Sequence, residues 1–203
     1  MNHAEILSLF VASKIDHREF MQHPILRGEF IYATNGHVAV RVPASNGIAS
    51  TVCDDKIKDM QSLFDKARSD VFLPTFPELP EANKCAVCNG SGIVYPCPSC
   101  DGEGEFEYKW HDYECKECGG YGQVDDGDED QKETCEYCAG SGHAQQPVKV
   151  KDFIFDRRYL SKIKDLPGVR FAVQQGFPTE GAIPPGYFVF DGGGEGLLMP
   201  MRK

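Results

Sequence analysis

The sequence predicts an α+β domain of helices packed on antiparallel sheet, interrupted by a small cysteine-rich insertion. Segments of helical and of alternating apolar periodicity occur on both sides of the insertion, at residues 1–83 and 148–203. Eight of the nine cysteines lie in the intervening residues 84–147. A hydrophobic content of 41% in 203 residues suffices for one ordinary core and a small second domain.

The first half opens with a predicted helix from Asn2 to about Lys14, because Asn2 and Glu5 have the spacing of a capping box. Its apolar face comprises Ile6, Leu7, Phe10 and Val11. FIYAT and HVAVRV flank Asn35-Gly36, which predicts a hairpin with a type I′ turn. A second helix, capped by Asp54 or Asp55, is expected to run to about Arg68. Its apolar stripe is Ile57, Met60, Phe64 and Ala67.

The second half follows an extended connector, FLPTFPELPEANK, which contains three prolines between Pro74 and Pro80. VKVKDFIF predicts one strand with alternating character. Asp156 is expected to cap a third helix through Leu166, which Pro167-Gly168 ends. Strands VRFAV, YFVF and GLLMPM complete the domain, and the glycine-rich turn DGGGEG joins the last two.

The negative charge of the chain is concentrated in the insertion. Fourteen of the 31 acidic residues but only four of the 21 basic ones lie between Lys84 and Pro147, so this stretch carries the whole net charge of -10. Such a segment is a poor candidate for binding nucleic acid. No apolar stretch approaches the ~20 residues that cross a bilayer, and MNHAEILSLFVASK lacks the features of a signal peptide. We expect a cytoplasmic protein with no membrane partner.

The insertion contains four CxxCxGxG repeats. They begin at Cys85, Cys97, Cys115 and Cys135, and their second cysteines are Cys88, Cys100, Cys118 and Cys138. Two thiolates two residues apart on a tight turn can both bind one tetrahedral Zn²⁺ at ~2.3 Å. Eight such ligands predict two zinc ions, and a closed Cys₄ shell predicts a structural role. A redox dithiol and an iron–sulfur cluster are the alternatives. The separate Cys53 is expected to be a small buried residue, and His111 and His143 to be exposed.

These four motifs resemble the cysteine-rich zinc domain of the DnaJ co-chaperone family over residues 84–143. The resemblance implies that one zinc is held by Cys85, Cys88, Cys135 and Cys138, and the other by Cys97, Cys100, Cys115 and Cys118. The His-Pro-Asp signature of that family's J domain is absent, because His23-Pro24 is followed by Ile25. No segment resembles that family's client-binding β-domains, so we do not expect a complete co-chaperone.

The flanking halves resemble the bacterial sliding clamp, the β subunit of replicative DNA polymerase. FIYATNGHVAV is similar to the hairpin A-T-D-G-H-R-L-A of that family, with Asn35 for Asp and Val38 for Arg. VKVKDFIFDRRYLSKIKDLPG is similar to a strand and helix of the clamp, and GLLMPMR to its last strand. The resemblance implies a single clamp-type domain, whereas a clamp ring contains six. A homo-oligomer is therefore possible, and so is a monomer or smaller assembly.

Clamp helices present Lys and Arg to DNA phosphates without reading bases. The resemblance implies the DNA-binding candidates Arg157, Arg158, Lys162 and Lys164, with Lys56, Lys58, Lys66 and Arg68 on the earlier helix. The alternative is that these are ordinary solvated helix faces. The last strand of a clamp also lines a pocket for partner peptides, so Met199, Pro200 and Met201 are candidate partner-binding residues, with core packing as the alternative.

No nucleophile and base arrangement, phosphate loop or paired-carboxylate motif is evident in the sequence, and His37 is expected to be structural. We therefore expect a protein that is not an enzyme. The first hypothesis is an accessory protein of DNA replication or repair, with a clamp-like scaffold, possible duplex-DNA contact and a zinc module that recruits a protein. The second is a chaperone-like adaptor that binds peptides or basic partners through the zinc module without DNA.

Overall fold

The computed structural model describes residues 1–13, 16–44, 48, 51–52, 60–174 and 183–202. The chain forms two compact units. The sheet unit consists of Met1–Pro80 and Pro147–Lys203, and the cysteine unit consists of Glu81–Gln146. The insertion therefore begins three residues before, and ends one residue before, the limits 84 and 147 that the sequence predicts.

The described residues contain three α-helices and two short 3-10 turns. The helices are α1 (His3–Ser8), α2 (Met60–Ala67) and α3 (Arg157–Lys164), and the turns are Glu19–Met21 and Glu129–Gln131. None of these helices is long and apolar enough to cross a membrane.

Fourteen strands accompany them in the described part of the chain. They are β1 (Ile25–Arg27), β2 (Phe30–Thr34), β3 (Val38–Pro43), β4 (Thr51–Val52), β5 (Ile93–Pro96), β6 (Glu105–Tyr108), β7 (His111–Glu114), β8 (Gln123–Val124), β9 (Glu133–Thr134), β10 (Pro147–Val150), β11 (Phe153–Asp156), β12 (Arg170–Val173), β13 (Gly186–Phe190) and β14 (Gly194–Leu198).

The sheet unit is built on a seven-stranded sheet with the order β12-β13-β14-β3-β2-β1-β4. Its pairs are antiparallel except β1 with β4. The two halves of the chain meet where β14 pairs with β3, with Glu195 opposite Arg41 and Leu198 opposite Val38. The insertion therefore interrupts the chain but not the sheet, and the mixed α/β fold is mostly antiparallel.

Both faces of this sheet are covered because β2 and β3 alternate between two apolar clusters. Val38, Val40 and Val42 belong to the larger cluster, with side chains of α1, α3, β10 and β11. Ala39 of β3 belongs to the smaller cluster, with Phe64 of α2. Successive side chains of a strand point to opposite faces, so α2 and α3 pack on opposite faces of the sheet.

The smaller cluster encloses a buried arginine that sequence reasoning did not identify. Arg41 is 2% exposed, and its guanidinium lies 4.4 Å from the ring centres of both Phe30 and Phe64. Glu195 accepts a hydrogen bond from Arg41 Nη2 at 3.2 Å and one from the hydroxyl of Tyr187 at 3.0 Å. A buried charge is tolerated only when it is paired, and Glu195 supplies that partner.

Helix α1 is shorter than predicted. The capping box is confirmed, since the amide of Glu5 donates to Asn2 and the amide of Asn2 donates to the Glu5 carboxylate. The helix nevertheless ends at Ser8 instead of Lys14. Beyond it the amide of Ala12 donates to the carbonyl of Met21 at 2.8 Å, so a tertiary contact replaces the helical hydrogen bonds that the apolar periodicity suggests.

Two local predictions are wrong in detail. The hairpin between β2 and β3 is confirmed, but only Gly36 of its loop has positive φ, so the turn is not type I′. The Asn35 side chain instead accepts the amide protons of His37 and Val38. VKVKDFIF forms two strands, because the chain reverses at Lys151, whose φ is +53°, and β10 pairs with β11.

The predicted caps Asp54 and Asp55, together with Cys53, Ile57, Lys56 and Lys58, lie outside the described residues. The proline-rich connector is extended and packs on the sheet unit. The amide of Leu73 donates to the carbonyl of Phe171 on the outer strand β12, and the rings of Phe76 and Phe171 meet edge to face. This segment covers part of an edge that would otherwise expose unpaired backbone groups.

The cysteine unit contains little regular structure. Strand β5 pairs with both β8 and β9, and β6 and β7 form a separate hairpin. The two ends of the unit meet at a β-bridge between Lys84 and His143. The amide of Ala144 also donates to the carbonyl of Asn83 at 2.9 Å.

Candidate metal centres and binding surfaces

The eight cysteines of the repeats form two separate, fully buried groups. The first group is Cys85, Cys88, Cys135 and Cys138, and the second is Cys97, Cys100, Cys115 and Cys118. Within each group all four Sγ atoms lie within 4.8 Å of one another. The first motif is thus grouped with the fourth and the second with the third, which is the grouping that the DnaJ resemblance implies.

The sulfur separations agree with a tetrahedral metal ion. The Sγ atoms of Cys85 and Cys135 are 3.9 Å apart, and those of Cys100 and Cys118 are 3.8 Å apart. Four sulfurs bound to zinc at about 2.3 Å would be separated by about 3.8 Å along each edge of the tetrahedron. An iron–sulfur cluster would hold its cysteines farther apart, because the inorganic core lies between them. The two groups are consistent with two structural zinc sites.

The glycines of each repeat hold the sulfur atoms in place. The amide of the second glycine donates to the second cysteine of its own motif, at 3.3 Å from Gly92 to Cys88 Sγ and 3.2 Å from Gly104 to Cys100 Sγ. Gly122 and Gly142 make the equivalent bonds. Amide donors stabilise the negative charge of a thiolate, so these hydrogen bonds would stabilise and orient the sulfur ligands of a bound metal.

Each site is assembled from two motifs that face one another. The amide of Cys115 donates to the carbonyl of Gly104 at 2.8 Å, and the amide of Cys97 donates to the carbonyl of Gly122 at 2.9 Å. The same reciprocal pair of bonds joins the first motif to the fourth. The close approach requires glycine, because a Cβ on Gly104 would lie 2.5 Å from the carbonyl oxygen of Gly120. Backbone contact therefore sets which motifs share a metal.

The thiols of each group differ in acidity. Burial raises the pKa of Cys100 and of Cys135 to about 12. A backbone hydrogen bond within its own motif, which outweighs burial, lowers the pKa of Cys115 to about 7. Burial also acts to raise the pKa of Cys88, but amides of the following glycines and neighbouring thiols lower it to about 7. In each group, backbone amide donors thus favour the thiolate form of one cysteine, whereas burial disfavours it for another.

The histidines of the cysteine unit take no part in these groups. His111 lies on β7 and His143 in the bridge that closes the unit, and both are exposed, as the sequence predicts. Over the described ranges, the clusters able to hold a metal contain cysteine alone.

Three of the four basic residues predicted on the third helix make contacts within the sheet unit. Arg157 Nε donates to the carbonyl of Pro80 at 2.6 Å. Arg158 Nη2 lies 2.7 Å from the Asp156 carboxylate, and its side chain is 16% exposed. Lys162 Nζ lies 3.3 Å from the carbonyl of Leu9, and burial and then the neighbouring Arg158 lower its pKa.

Lys164 remains an exposed cation at the end of α3. Lys66 of α2 is exposed, and Arg68, which follows the helix, donates from Nη2 to Glu195 at 2.8 Å. Since α2 and α3 pack on opposite faces of the sheet, Lys66 and Lys164 do not lie on one continuous surface.

An apolar groove of about 340 Å³ lies at the end of the sheet where β2 turns into β3. Its lining includes Met21, His37, Met60, Leu63, Leu197 and Met199. The amide of Met199 donates to the carbonyl of His37 at 2.8 Å, which fixes the last strand beside the hairpin. Met199 is 43% exposed at this groove, whereas Pro200 and Met201 are half-buried and outside its lining.

His37 has a structural contact, because its ring stacks on Tyr159 of α3 with the ring centres 5.7 Å apart. Sequence reasoning missed Met21, Met60 and Leu63 as groove residues. Met21 lies in a 3-10 turn, and Met60 and Leu63 lie on α2. Nothing in the sequence around these apolar residues distinguishes a groove from core packing. Comparison of the chain with protein-family models, with curated proteins and with solved structures found no match.

Proposed function

We propose that the chain is a non-enzymatic accessory protein of DNA replication or repair, in which a single clamp-type domain binds a partner peptide and a DnaJ-type zinc module makes further protein contacts. The observation that carries the proposal is the apolar groove. The hairpin segment Thr34–Ala39 and the strand end at Met199 are separate parts of the clamp resemblance, and both line this one groove.

The character of the groove supports a peptide ligand over a small polar substrate. Its lining includes three methionines and two leucines, of which Leu63 and Met199 are partly exposed. Methionine adapts its shape to irregular apolar partners and is common on surfaces that bind several sequences. A linear segment with two or three apolar side chains would bury these groups from water.

The peptide proposal can be tested by selecting ligands from a random linear peptide library on the zinc-loaded protein. We expect the selected peptides to share an apolar motif and to bind at least tenfold more weakly to Leu63→Asp, because a bound peptide would bury the new carboxylate. Val71→Asp is the matched control, since Val71 is an exposed apolar residue outside the groove lining. Selected peptides that bind both variants and the wild type equally would contradict the proposal.

Duplex-DNA contact is the second part of the proposal, and Lys164 is the residue that supports it. Lys162 and both arginines of α3 contact other groups of the sheet unit, whereas the Lys164 side chain is exposed to solvent. Loss of one phosphate contact lowers the slope of log affinity against log salt by about 1.

This part is tested with a duplex of about 30 base pairs at several salt concentrations. Lys164→Ala should reduce the salt slope, and Lys66→Ala, which removes an equivalent exposed lysine from the opposite face, should not. Salt-independent affinity, or no binding at low salt, would contradict DNA contact while leaving the peptide groove untouched. We place the protein in the cytoplasm, where reduced thiols remain available for zinc.

An adaptor that binds proteins through the cysteine unit, without DNA, is the second candidate function. Four large aromatic side chains are exposed on the β6–β7 hairpin: Phe106, Tyr108, Trp110 and Tyr113. Trp110 is 92% exposed, and exposed aromatic clusters commonly mark protein-interaction sites. Suppression of client aggregation by the wild type but not by Trp110→Ser would favour this candidate, and equal suppression by both would count against it.

A further inference from the structure

The hairpin of β6 and β7 has two chemically distinct faces. Its register pairs Phe106 with Tyr113 and Tyr108 with His111, so the aromatic side chains share one face. The same register pairs Glu105 with Glu114 and Glu107 with Asp112, which places four carboxylates on the other face. All eight residues are exposed.

The acidic face is not explained by the stability of the hairpin. Like charges directly opposite one another on neighbouring strands destabilise the pair. Among the residues that the structure describes, no lysine, arginine or histidine lies within ion-pair distance of Glu105, Glu107, Asp112 or Glu114. A two-stranded hairpin is only marginally stable by itself, so these repulsions further lower the stability of the β6–β7 hairpin.

Glu105, Asp112 and Glu114 of this face line an open cleft of about 580 Å³ together with Glu103, and a pair of tyrosines forms its aromatic wall. Tyr121 and Tyr137 meet edge to face with ring centres 4.9 Å apart, and both remain about half exposed. Tyr121 follows the third CxxC pair and Tyr137 lies between the cysteines of the fourth, so both metal centres contribute to the position of this wall.

The chemistry of the cleft selects among possible occupants. Its carboxylates repel nucleic acid and would lose their hydration against an apolar peptide. A divalent cation would bind the carboxylate oxygens alone and would make no favourable contact with the aromatic rings. A guanidinium or ammonium group uses both walls, since it pairs with carboxylates and is attracted to the face of a tyrosine ring.

We propose that this acidic cleft, between the carboxylate face of the β6–β7 hairpin and the Tyr121–Tyr137 pair, binds an arginine- or lysine-rich segment of a partner protein. The inference rests on the proposed role of the cysteine unit in protein contacts. It concerns a different surface and a different ligand chemistry from the groove of the sheet unit, so either site can fail without the other.

The test measures fluorescence anisotropy of labelled octa-arginine with the zinc-loaded, full-length protein. The double variant Glu105→Gln/Asp112→Asn should weaken binding about tenfold, because two cleft charges are lost. The matched control Asp125→Asn/Asp126→Asn removes two exposed charges of the same unit from outside the cleft lining and should weaken binding less than about threefold.

The contribution of the aromatic wall is tested by Tyr137→Leu, which removes the π-face, with Tyr108→Leu on the opposite hairpin face as its control. We expect a two- to fivefold loss for the former, corresponding to an exposed cation–π contact of about 0.5–1 kcal/mol, and no change for the latter. Zinc content of two ions per chain in every variant shows that the unit is intact.

Several outcomes overturn the proposal. Equal weakening by the two double variants would mean that octa-arginine senses only the overall charge of the unit. Absence of binding at low salt, or Ca²⁺ binding that depends on Glu105 and Asp112 while octa-arginine does not bind, would also refute it. None of these results bears on peptide binding in the groove, which is measured separately with Leu63→Asp.

Discussion

The steric requirement for glycine in the repeats leads to a sharp prediction for Gly104→Ala. Gly104 has φ of +81°, and an added Cβ would lie 2.5 Å from the carbonyl oxygen of Gly120 in the facing motif. Its amide also donates to Cys100 Sγ at 3.2 Å, so movement of this segment displaces a sulfur ligand. The substitution should open the second metal centre and leave the first intact.

The magnitude follows from separating two effects. An alanine with positive φ costs about 1–2 kcal/mol, and forcing a methyl group against backbone costs a further 1–3 kcal/mol. Gly119→Ala isolates the first effect, because Gly119 has φ of +59° but its Cβ would approach no closer than 3.8 Å to the Tyr121 ring. The additional steric cost should therefore lower zinc affinity of the second site about 5- to 150-fold relative to Gly119→Ala.

The assay is competition for zinc with a chromophoric chelator, which resolves one unaffected and one weakened site per chain. Circular dichroism of the loaded protein serves as the control for global folding. Equal zinc affinities of Gly104→Ala and Gly119→Ala would refute the reasoning, since they would show that the facing motifs move apart freely. Weakening of both sites by Gly104→Ala would show instead that the two centres fold as one.

Three further predictions concern stability. Chelation of zinc should remove amide-exchange protection from residues 81–146 while the sheet unit stays protected, because a closed Cys₄ site contributes folding free energy directly; simultaneous loss in both units would contradict this. Glu195→Gln should lower the free energy of unfolding by about 3–5 kcal/mol in urea denaturation, because the buried Arg41 would lose its nearest carboxylate and keep only the largely exposed Asp65, 4.0 Å away, and a loss below about 1 kcal/mol would refute that role. Asp16→Asn should destabilise the protein at pH 7, because hydrogen bonds from Arg18 hold the pKa of Asp16 far below its usual value. A carboxyl with a depressed pKa stabilises the fold above its unfolded pKa of about 3.9, so the difference from wild type should shrink as the pH falls below 4, and a difference that grows there would contradict the assignment.

The metal centres were predictable because their information is local. CxxC pairs and the glycines that follow them identify ligands and backbone turns within eight residues, and burial of all eight cysteines agrees with that prediction. Which motifs share a metal depends on contacts between segments up to 50 residues apart, such as Cys85 with Cys135. The spacing of the cysteines does not predict these contacts. Only the resemblance to a known domain indicated which motifs share a metal.

The helices illustrate the opposite case. Apolar periodicity continues past Ser8 through Phe10 and Val11, yet α1 ends there because the chain bends toward the turn at Glu19–Met21. Phe10 still reaches the larger core cluster from outside the helix. Periodicity therefore identified the buried side chains of this segment and overestimated the regular structure that carries them.

Exposed surfaces were the hardest features to predict. The sequence predicts a solvated or DNA-binding face for the basic residues of α3. In the structure, Arg158 forms an ion pair with Asp156, the N-cap residue of α3, and Lys162 donates to the carbonyl of Leu9. The sequence does not predict the acidic cleft, because it shows only that the insertion carries a negative net charge. Its hairpin lies between the second and third motifs, whereas its tyrosines belong to the third and fourth motifs, so the cleft depends on how both cysteine groups assemble.

By itself the sequence determined the α+β class, the interruption of one domain by a cysteine-rich unit, the eight sulfur ligands and the apolar residues of the core. Each of these depends on residue type and short-range spacing, which fix backbone turns and hydrophobic periodicity. Tertiary structure alone decided the burial of Arg41 against Glu195, the groove beside Met199 and the acidic cleft. These features depend on which strands become neighbours, and that choice minimises the free energy of the whole chain instead of any one segment.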